Sequence, residues 1–292
     1  MPAEDGSESR LRVRKTYKLA IGGAFPRSES GRSYPVEDSS GALLAQAAQA
    51  SRKDVRDAVV AARKAFPGWA AATAYNRGQV IYRVAEMLEG RREQFAAEVA
   101  AAEGGTADAA LRSVDDSIDR IVWYAGWADK FAQVAGSANP IAGPYFNFSV
   151  PEPTGVVAIL APQESSLLGF VSVLAPVLCT GNTAVIVASE RRPLPAVSLS
   201  EVLATSDLPG GVVNVLTGFT SELAPWLASH RDVNAVDLTG VAAGDRADLQ
   251  RAAADNVKRV YIPAGEDWTD EPGTARLTAF VETKTVWHPI GV

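Results

Sequence analysis

The sequence of 292 residues contains few of the side chains that most often carry out covalent or metal-assisted catalysis. It has one cysteine, Cys179, and two histidines, His230 and His288. A zinc site built by the protein requires three or four nitrogen or sulfur ligands, so we expect no metal site. The G-x-S-x-G pattern that holds a nucleophilic serine is also absent.

Excess positive charge and long apolar runs are missing as well. A formal net charge of -6 argues against a surface that binds nucleic acid. No stretch approaches the ~20 consecutive apolar residues of a membrane span. Residues Met1–Arg14 alternate charged and small side chains, without the apolar core of a signal peptide. A single cysteine cannot form an internal disulfide, and we therefore expect a cytoplasmic protein.

The first half of the sequence is predicted to be mostly helical. Thr16–Ile21 has the composition of a short strand, and we expect it to pair with Ser33–Val36 in a hairpin. Ser51 and Asp54 have the spacing of a capping box, which predicts the start of a helix. Apolar side chains at intervals of three and four predict further helices over residues 75–88, 93–102 and 109–134.

The second half alternates short apolar segments with helical ones. The apolar segments are Gly155–Leu160, Ala184–Ala188, Gly211–Leu216, Ala235–Leu238 and Arg259–Ile262. Strands that are apolar throughout, each followed by a helix, indicate a parallel sheet that is covered on both faces. The sequence therefore predicts the α/β class: a doubly wound parallel, Rossmann-like sheet preceded by N-terminal helices.

Two further strands do not belong to this pattern. Ala142–Pro151 alternates in polarity, and Ala279–Ile290 is rich in β-branched and aromatic residues. The acidic segment Gly265–Thr274, which contains proline and glycine, precedes the second of them. Because two strands alone are not stable in water, we expect a small β element for oligomerisation, covered by a partner chain.

Several motifs occur in a characteristic order along the chain. They are Lys18–Gly23, Glu29–Ser33, Glu152–Val157 with Ala161-Pro162, Gly181–Thr183, Leu208–Gly218, Leu238–Gly240 and, near the end, Glu282–Trp287. In this order they resemble the aldehyde dehydrogenase superfamily. The chain looks like a short, degenerate member that lacks the catalytic domain, similar to the second, inactive domain of two-domain aldehyde dehydrogenases.

The resemblance implies a division of the chain into five segments. They are an N-terminal hairpin and helices (1–137), an oligomerisation strand (138–153), a Rossmann-like cofactor domain (154–265), a linker in place of the catalytic domain (266–277) and a C-terminal oligomerisation strand (278–292). The family's nucleophilic cysteine belongs to the missing region. Cys179 occupies a position that the family fills with a small buried residue.

Two of the family's catalytic positions that do fall within the chain are altered. The turn that is usually Pro-Trp-Asn is Pro162-Gln163-Glu164 here, so a carboxylate replaces the asparagine that helps to stabilise the oxyanion. The general-base glutamate of the family corresponds to Pro263. We therefore predict no catalytic residue.

The positions that contact the cofactor in the family are altered in part. Val187 replaces the lysine that binds the adenosine ribose, Val241 replaces a serine, and Asp245 replaces a glycine of the phosphate-binding turn. A shift of one residue in the alignment would bring Gly244 to that glycine position. The family-like positions that remain are Pro162, Glu190, Gly218 and Gly240. We expect no cofactor, although NAD(P) binding is left open.

Three functions are compatible with these residues. The first is a pseudoenzyme, a non-catalytic subunit that assembles through its C-terminal strand with a full-length aldehyde dehydrogenase or with a second copy of itself. The second is a regulatory protein that binds NAD(P). The third is an oxidoreductase that acts on aldehydes only within a complex.

Overall fold

The computed structural model describes residues 13–291. Most of the segment Met1–Arg14, for which no signal peptide is predicted, lies outside the described residues. The strands are β1 (Thr16–Tyr17), β2 (Ser33–Glu37), β3 (Leu43–Ala48), β4 (Ser137–Asn139), β5 (Tyr145–Pro153), β6 (Val156–Leu160), β7 (Thr183–Val187), β8 (Val213–Leu216), β9 (Ala235–Asp237), β10 (Arg259–Tyr261) and β11 (Val281–Pro289). The helices are α1 (Arg52–Ala71), α2 (Ala74–Glu89), α3 (Arg92–Glu103), α4 (Ala107–Trp127), α5 (Phe131–Ala135), α6 (Leu168–Cys179), α7 (Leu194–Ala204), α8 (Thr220–Ser229), α9 (Arg246–Ala254) and α10 (Ala275–Ala279).

Five parallel strands form the central sheet in the order β10-β9-β6-β7-β8. The chain enters at β6, proceeds to one edge through β7 and β8, and returns to the other side of β6 with β9 and β10. This is the doubly wound topology, and it confirms the predicted fold class. The apolar segments of the sequence located all five strands, although β8, β9 and β10 each include one polar or charged residue, Asn214, Asp237 and Arg259 respectively.

Both faces of this sheet are buried, because alternate side chains of each strand point in opposite directions. On one face Val157 and Ile159 pack beneath α2, α4, α6 and α7. On the other face Val156, Ala158 and Leu160 pack against α1 and α8. The central strand β6 therefore contributes to two separate hydrophobic cores.

The N-terminal strands pair differently from the predicted hairpin. β2 pairs antiparallel with β3, and β1 pairs parallel with β3 on its other side, so β1 and β2 do not touch as neighbours. The predicted pairing of Thr16–Ile21 with Ser33–Val36 was wrong because the intervening strand β3 was missed. Its sequence, Leu-Leu-Ala-Gln-Ala-Ala, is rich in alanine, which has low strand propensity.

The N-terminal helices follow the predicted periodicity, with one correction. The capping box is confirmed: the Ser51 side chain accepts from the backbone of Asp54, and the Asp54 side chain accepts from the backbone of Ser51. The helix predicted over residues 109–134 is divided into α4 and α5. Between them Ala128 and Lys130 form hydrogen bonds to residues three positions earlier, which tightens the turn and ends the longer helix.

A second, three-stranded sheet has the order β11-β5-β4. β11 pairs antiparallel with β5 from Val281↔Pro153 to Pro289↔Tyr145, which confirms both predicted strands. α10 directly precedes β11 and lies partly within the segment predicted as a linker. None of the helices among residues 13–291 combines the length and the apolarity needed to cross a membrane.

Candidate functional site: the cleft at the carboxyl ends of the central strands

A cavity of about 680 Å3 opens at the carboxyl ends of the central strands. Its walls are the turns that follow β6, β7 and β9 together with the first turn of α8. The strand order reverses between β6 and β9, and open α/β sheets bind ligands at such a switch point. The size lies within the ordinary range for a small-molecule site.

Gln163 connects the turn after β6 to the turn after β7. Its amide nitrogen donates to the backbone oxygen of Ala161 (3.0 Å), and its side-chain oxygen accepts from the backbone N–H of Glu190 (2.9 Å). The hydroxyl of Ser189 donates to the backbone oxygen of Gln163 (3.0 Å). The rim is therefore held by hydrogen bonds that could not be predicted from the sequence. The adjacent Glu164 side chain is 89% exposed at the mouth of the cleft.

Glu190 contacts the N-terminus of α8. Its Oε1 accepts from the backbone N–H of Thr220 at 2.5 Å, so this carboxylate occupies one of the helix's free amide groups. The hydroxyl of Thr220 is buried and has no hydrogen-bond partner among the described residues. Glu190 and Thr220 both line the cavity.

The turn after β9 forms the opposite wall. The backbone N–H of Gly240 donates to the backbone oxygen of Leu160 (2.8 Å), which holds the turn against the end of β6. A side chain could not be placed there, because a Cβ on Gly240 would lie 1.9 Å from the backbone oxygen of Ala161. Val241, the next residue, is buried in the core, while Asp245 and Asp248 are exposed at the start of α9.

The structure brings two of the four predicted cofactor positions to the cavity. Glu190 and Gly240 line it, whereas Pro162 and Gly218 do not. Pro162 is buried beneath the start of α6. Gly218 has a φ of 143° where the chain passes close to the backbone of Ala50. The assignment of these four residues to cofactor binding stays a prediction.

Cys179 is not placed to act as a nucleophile. It is 1% exposed at the end of α6, and burial raises the pKa of its thiol to about 12. The thiolate, which is the reactive form, is therefore scarce at neutral pH. Among residues 13–291 there is also no group of three or more His, Cys, Asp or Glu side chains that could hold a metal ion.

A buried ion pair next to the cleft was missed in the sequence. Arg276 in α10 pairs with Asp237 at the end of β9, and it also donates to Glu266 (2.6 Å) and to the hydroxyl of Thr239 (2.9 Å). Burial raises the pKa of the Asp237 carboxyl, and the Arg276 guanidinium opposes that rise. The only feature of the sequence that could have indicated this pair is Arg276 itself, a single arginine in a largely apolar segment that follows an acidic one.

A second arginine fastens the same part of the chain. Arg120 in α4 donates to the backbone oxygens of Trp268 (2.9 Å) and Asp270 (2.6 Å). Trp268 in turn packs against the main hydrophobic core. The segment between β10 and β11 is therefore packed against α4 and the main hydrophobic core by specific contacts.

The central sheet and its switch-point cleft define a Rossmann-like α/β protein. A family model described as "Aldehyde dehydrogenase family" matches residues 25–265, which is more than half of the chain. The chain therefore belongs to the aldehyde dehydrogenase family.

Similar proteins agree with this assignment. The chain is 31% identical over 270 residues to aldehyde dehydrogenase, cytosolic 1, of Elephantulus edwardii, and the match covers 91% of this chain and 53% of that protein. It is 33% identical over 264 residues to the cytosolic 10-formyltetrahydrofolate dehydrogenase of Mus musculus, covering 88% of this chain and 29% of that one. The NAD+ complex of an aldehyde dehydrogenase from Bacillus cereus superposes with a TM-score of 0.78 at 29% identity, covering 84% and 50%. The chain thus spans about half the length of both aldehyde dehydrogenases and less than a third of the 10-formyltetrahydrofolate dehydrogenase.

Proposed function

We propose that this protein is a non-catalytic member of the aldehyde dehydrogenase family that assembles with a full-length aldehyde dehydrogenase through β11. The observation that carries the assembly role is the free edge of β11, a strand of nine residues that has a neighbour on one side only within residues 13–291. A strand edge of this length offers unpaired backbone groups to another chain.

The hydrogen-bond pattern identifies the backbone groups that face outward. Thr154 donates to Phe280 and Ile290 donates to Pro144, so the even-numbered residues of β11 bond to β5. Because the pattern alternates along an antiparallel strand, the C=O groups of the odd-numbered residues, including Thr283, point to the open edge, as do their N–H groups except at Pro289, which has none. Thr283 lies opposite Pro151 in this register, at one of the positions that does not exchange backbone hydrogen bonds with β5.

Exposed aromatic side chains on the same sheet support a docking role. Tyr145 is 43% exposed, Phe146 49% and Trp287 59%. The rings of Tyr145 and Trp287 contact each other edge to face, with centroids 5.9 Å apart. Aromatic side chains are enriched at protein interfaces, and the sheet has several on its surface.

The non-catalytic role is supported by the chain's only cysteine and by the residues that occupy two of the family's catalytic positions. Cys179 is buried with a raised pKa, and Pro263 has no group that could accept a proton. Glu164 brings a negative charge to the turn where the family stabilises a negative oxygen. The acidic segment before α10 connects β10 to β11 directly, in the place of a catalytic domain.

Co-purification with a full-length aldehyde dehydrogenase from the same organism tests the proposal. The informative variant is Thr283→Pro, because proline removes an outward N–H and leaves the bonds of β11 to β5 intact. Thr283→Ala is the matched control, since it keeps that N–H. We expect the wild type and T283A to be retained on the tagged dehydrogenase, and T283P to be lost from it while keeping a wild-type melting temperature.

Two results would contradict the proposal. Equal retention of T283P and T283A would exclude the β11 edge as the contact. A wild-type chain that elutes as a monomer and is never retained would exclude the assembly role altogether.

A further inference from the structure

The open edge of β11 has few of the features that keep a strand edge from pairing. The strand has nine residues, its only proline is the last of them, and its register with β5 runs without a bulge. Its one lysine, Lys284, forms an ion pair with Glu152 (2.9 Å), so its charge is balanced within the sheet. Exposed edges pair with other chains unless charge, proline or a bulge prevents it. The edge is therefore open to β11 of a second copy, provided that the strand is complementary to itself.

A row of hydroxyl groups leads across the small sheet to this edge. The register places Ser137, Ser149 and Thr285 side by side on β4, β5 and β11. The hydroxyls of Ser149 and Thr285 are hydrogen-bonded (2.9 Å), and Asn139 donates to Ser149 (2.9 Å). The Thr285 hydroxyl ends the row at the open edge, and a hydroxyl can form more than one hydrogen bond. A threonine of a second chain would extend the row, because Thr–Thr pairs stabilise neighbouring strands.

The charges of β11 favour one register of self-pairing. Two identical strands related by a two-fold axis pair antiparallel and present the same surface to each other. With the axis at Thr285, this threonine faces its own copy, and Lys284 faces Val286. Glu282 then faces His288, so no two charges of the same sign lie opposite each other. An axis at Lys284 would oppose two ammonium groups, and an axis at Val286 would oppose Lys284 to His288; like charges in such positions destabilise a sheet.

The axis at Thr285 also gives the outward backbone groups the most partners. The odd-numbered residues of the two strands would lie opposite one another and exchange N–H and C=O hydrogen bonds. Every outward N–H then meets a carbonyl, and only the C=O of Val281 lies unpaired, because Pro289 opposite it has no N–H. An axis closer to either end of β11 would pair fewer residues. The two copies would form one continuous sheet in the order β4-β5-β11-β11-β5-β4.

We propose that the chain on its own forms a reversible homodimer in which two β11 strands pair antiparallel about an axis at Thr285. A single strand pair gives a small interface, which is typical of transient and not of permanent dimers. The regulatory consequence rests on the function proposed above. Because one edge accepts one strand, self-pairing and assembly with a full-length aldehyde dehydrogenase exclude each other, and the homodimer limits the amount of chain that is free to assemble.

Two cysteine variants of the full chain, without any partner protein, test the register. In Thr285→Cys the two new cysteines lie opposite each other with Cα atoms ~5.5 Å apart, a distance that a disulfide spans. In Thr283→Cys, on the same face and edge, they are offset by four residues, or ~13 Å along the strand. Cys179 is present in both variants and is 1% exposed. On oxidation we expect at least about tenfold more disulfide-linked dimer from T285C than from T283C, because only the first pair is within reach.

Light scattering of the wild type completes the test. We expect a mass that approaches twice the 30.8 kDa of one chain as the concentration rises, and a monomer for T283P at concentrations where T283A is dimeric. Adding full-length aldehyde dehydrogenase to T285C should lower the yield of linked dimer in proportion to the chain that it retains.

Three results would overturn the inference. They are a wild-type chain that stays monomeric throughout the dilution series, equal linking of T283C and T285C, and linking of T285C that is unchanged by a dehydrogenase that retains the chain. A chain that is monomeric alone but retained by the dehydrogenase would refute self-pairing and leave the proposed assembly role intact. Linked T285C dimers without any retention would refute the assembly role and leave self-pairing intact.

Discussion

At the scale of single residues, Asp237 and Arg276 form the most deeply buried of the ion pairs among residues 13–291. Their side chains are 0% and 7% exposed. The pair joins α10 to the end of β9, three residues before Gly240. A buried ion pair contributes little net stability when intact, but the loss of one partner leaves an uncompensated charge in the interior. The pair therefore fixes where the segment before β11 can lie.

We predict that Arg276→Met lowers the free energy of unfolding by about 3–5 kcal/mol, because Asp237 then has no partner inside the protein. Urea denaturation at neutral pH measures the change. Arg251→Met is the matched control: the pair of Arg251 with Asp248 has side chains that are 76% and 81% exposed, and its loss should change stability by only about 0–1 kcal/mol. Equal effects of the two substitutions would contradict the structural role of Arg276.

The loss of unfolding free energy in R276M, relative to the wild type, should depend on pH in a defined direction. Burial already raises the pKa of Asp237, and removal of the opposing guanidinium should raise it further. A carboxyl whose pKa is higher in the folded state than in the unfolded state binds its proton more tightly when folded, so protonation favours folding. The deficit should therefore decrease as the pH falls from about 7 to about 5, and a deficit that grows over this range would contradict the assignment.

At the scale of elements, the turn between β9 and α9 contains two glycines, Gly240 and Gly244, that have different surroundings. Gly240 lies against the end of β6, and an added Cβ would clash with the backbone of Ala161, whereas a Cβ on Gly244 would meet nothing within 4 Å. The alternative alignment, in which Gly244 would be the glycine of the phosphate-binding turn, thus finds no steric requirement for glycine at that position.

We predict that Gly240→Ala destabilises the protein by at least about 2 kcal/mol, since the backbone of the turn must move away from β6. Gly244→Ala should be neutral or slightly stabilising, because alanine reduces the entropy of the unfolded chain. Thermal denaturation of both variants measures the difference. A G240A protein as stable as G244A would mean that the turn is not held against β6.

The central sheet could be predicted from the sequence because its strands are buried on both faces. Val156–Leu160 is apolar throughout and Thr183–Val187 is apolar after its first residue, a pattern typical of parallel strands that are buried on both faces. The cleft could be anticipated for the same reason, since its place at the carboxyl ends follows from the strand order. Of the four residues predicted to contact a cofactor, Glu190 and Gly240 line this cleft and Pro162 and Gly218 do not, and their role in cofactor binding stays a prediction.

Other features depend on contacts between distant parts of the chain and could not be predicted. β3 has a weak strand composition and is stabilised by pairing on both sides, with β1 and β2. The packing of Trp268 and the pairing of Arg276 with Asp237 join residues whose proximity no local pattern reveals. The capture of the Thr220 amide by Glu190 links positions that are 30 residues apart.

At the scale of the whole molecule, the segment from Glu266 to Phe280 connects the central sheet to the three-stranded sheet of β11, β5 and β4. Asn182 illustrates the connection, because its side chain accepts from the backbone of Gly155 at the start of β6 (2.8 Å) and donates to the backbone oxygen of Phe280 just before β11 (2.9 Å). β11 is thereby fastened to the central domain at one end while its outer edge stays open. This arrangement supports a role in assembly without requiring any chemistry from the chain.

The third hypothesis, an oxidoreductase active only within a complex, leads to a measurement on that assembly. We predict that the chain, mixed in equimolar amount with a full-length aldehyde dehydrogenase whose nucleophilic cysteine has been replaced by alanine, gives no NADH from an aldehyde and NAD+. Neither chain then supplies a nucleophile, and loss of such a group lowers rates by orders of magnitude. With the active partner, the rate per partner site should be the same for the wild type and for T283P. NADH formation above background with the inactivated partner, present with the wild type and absent with T283P, would instead assign a catalytic contribution to this chain.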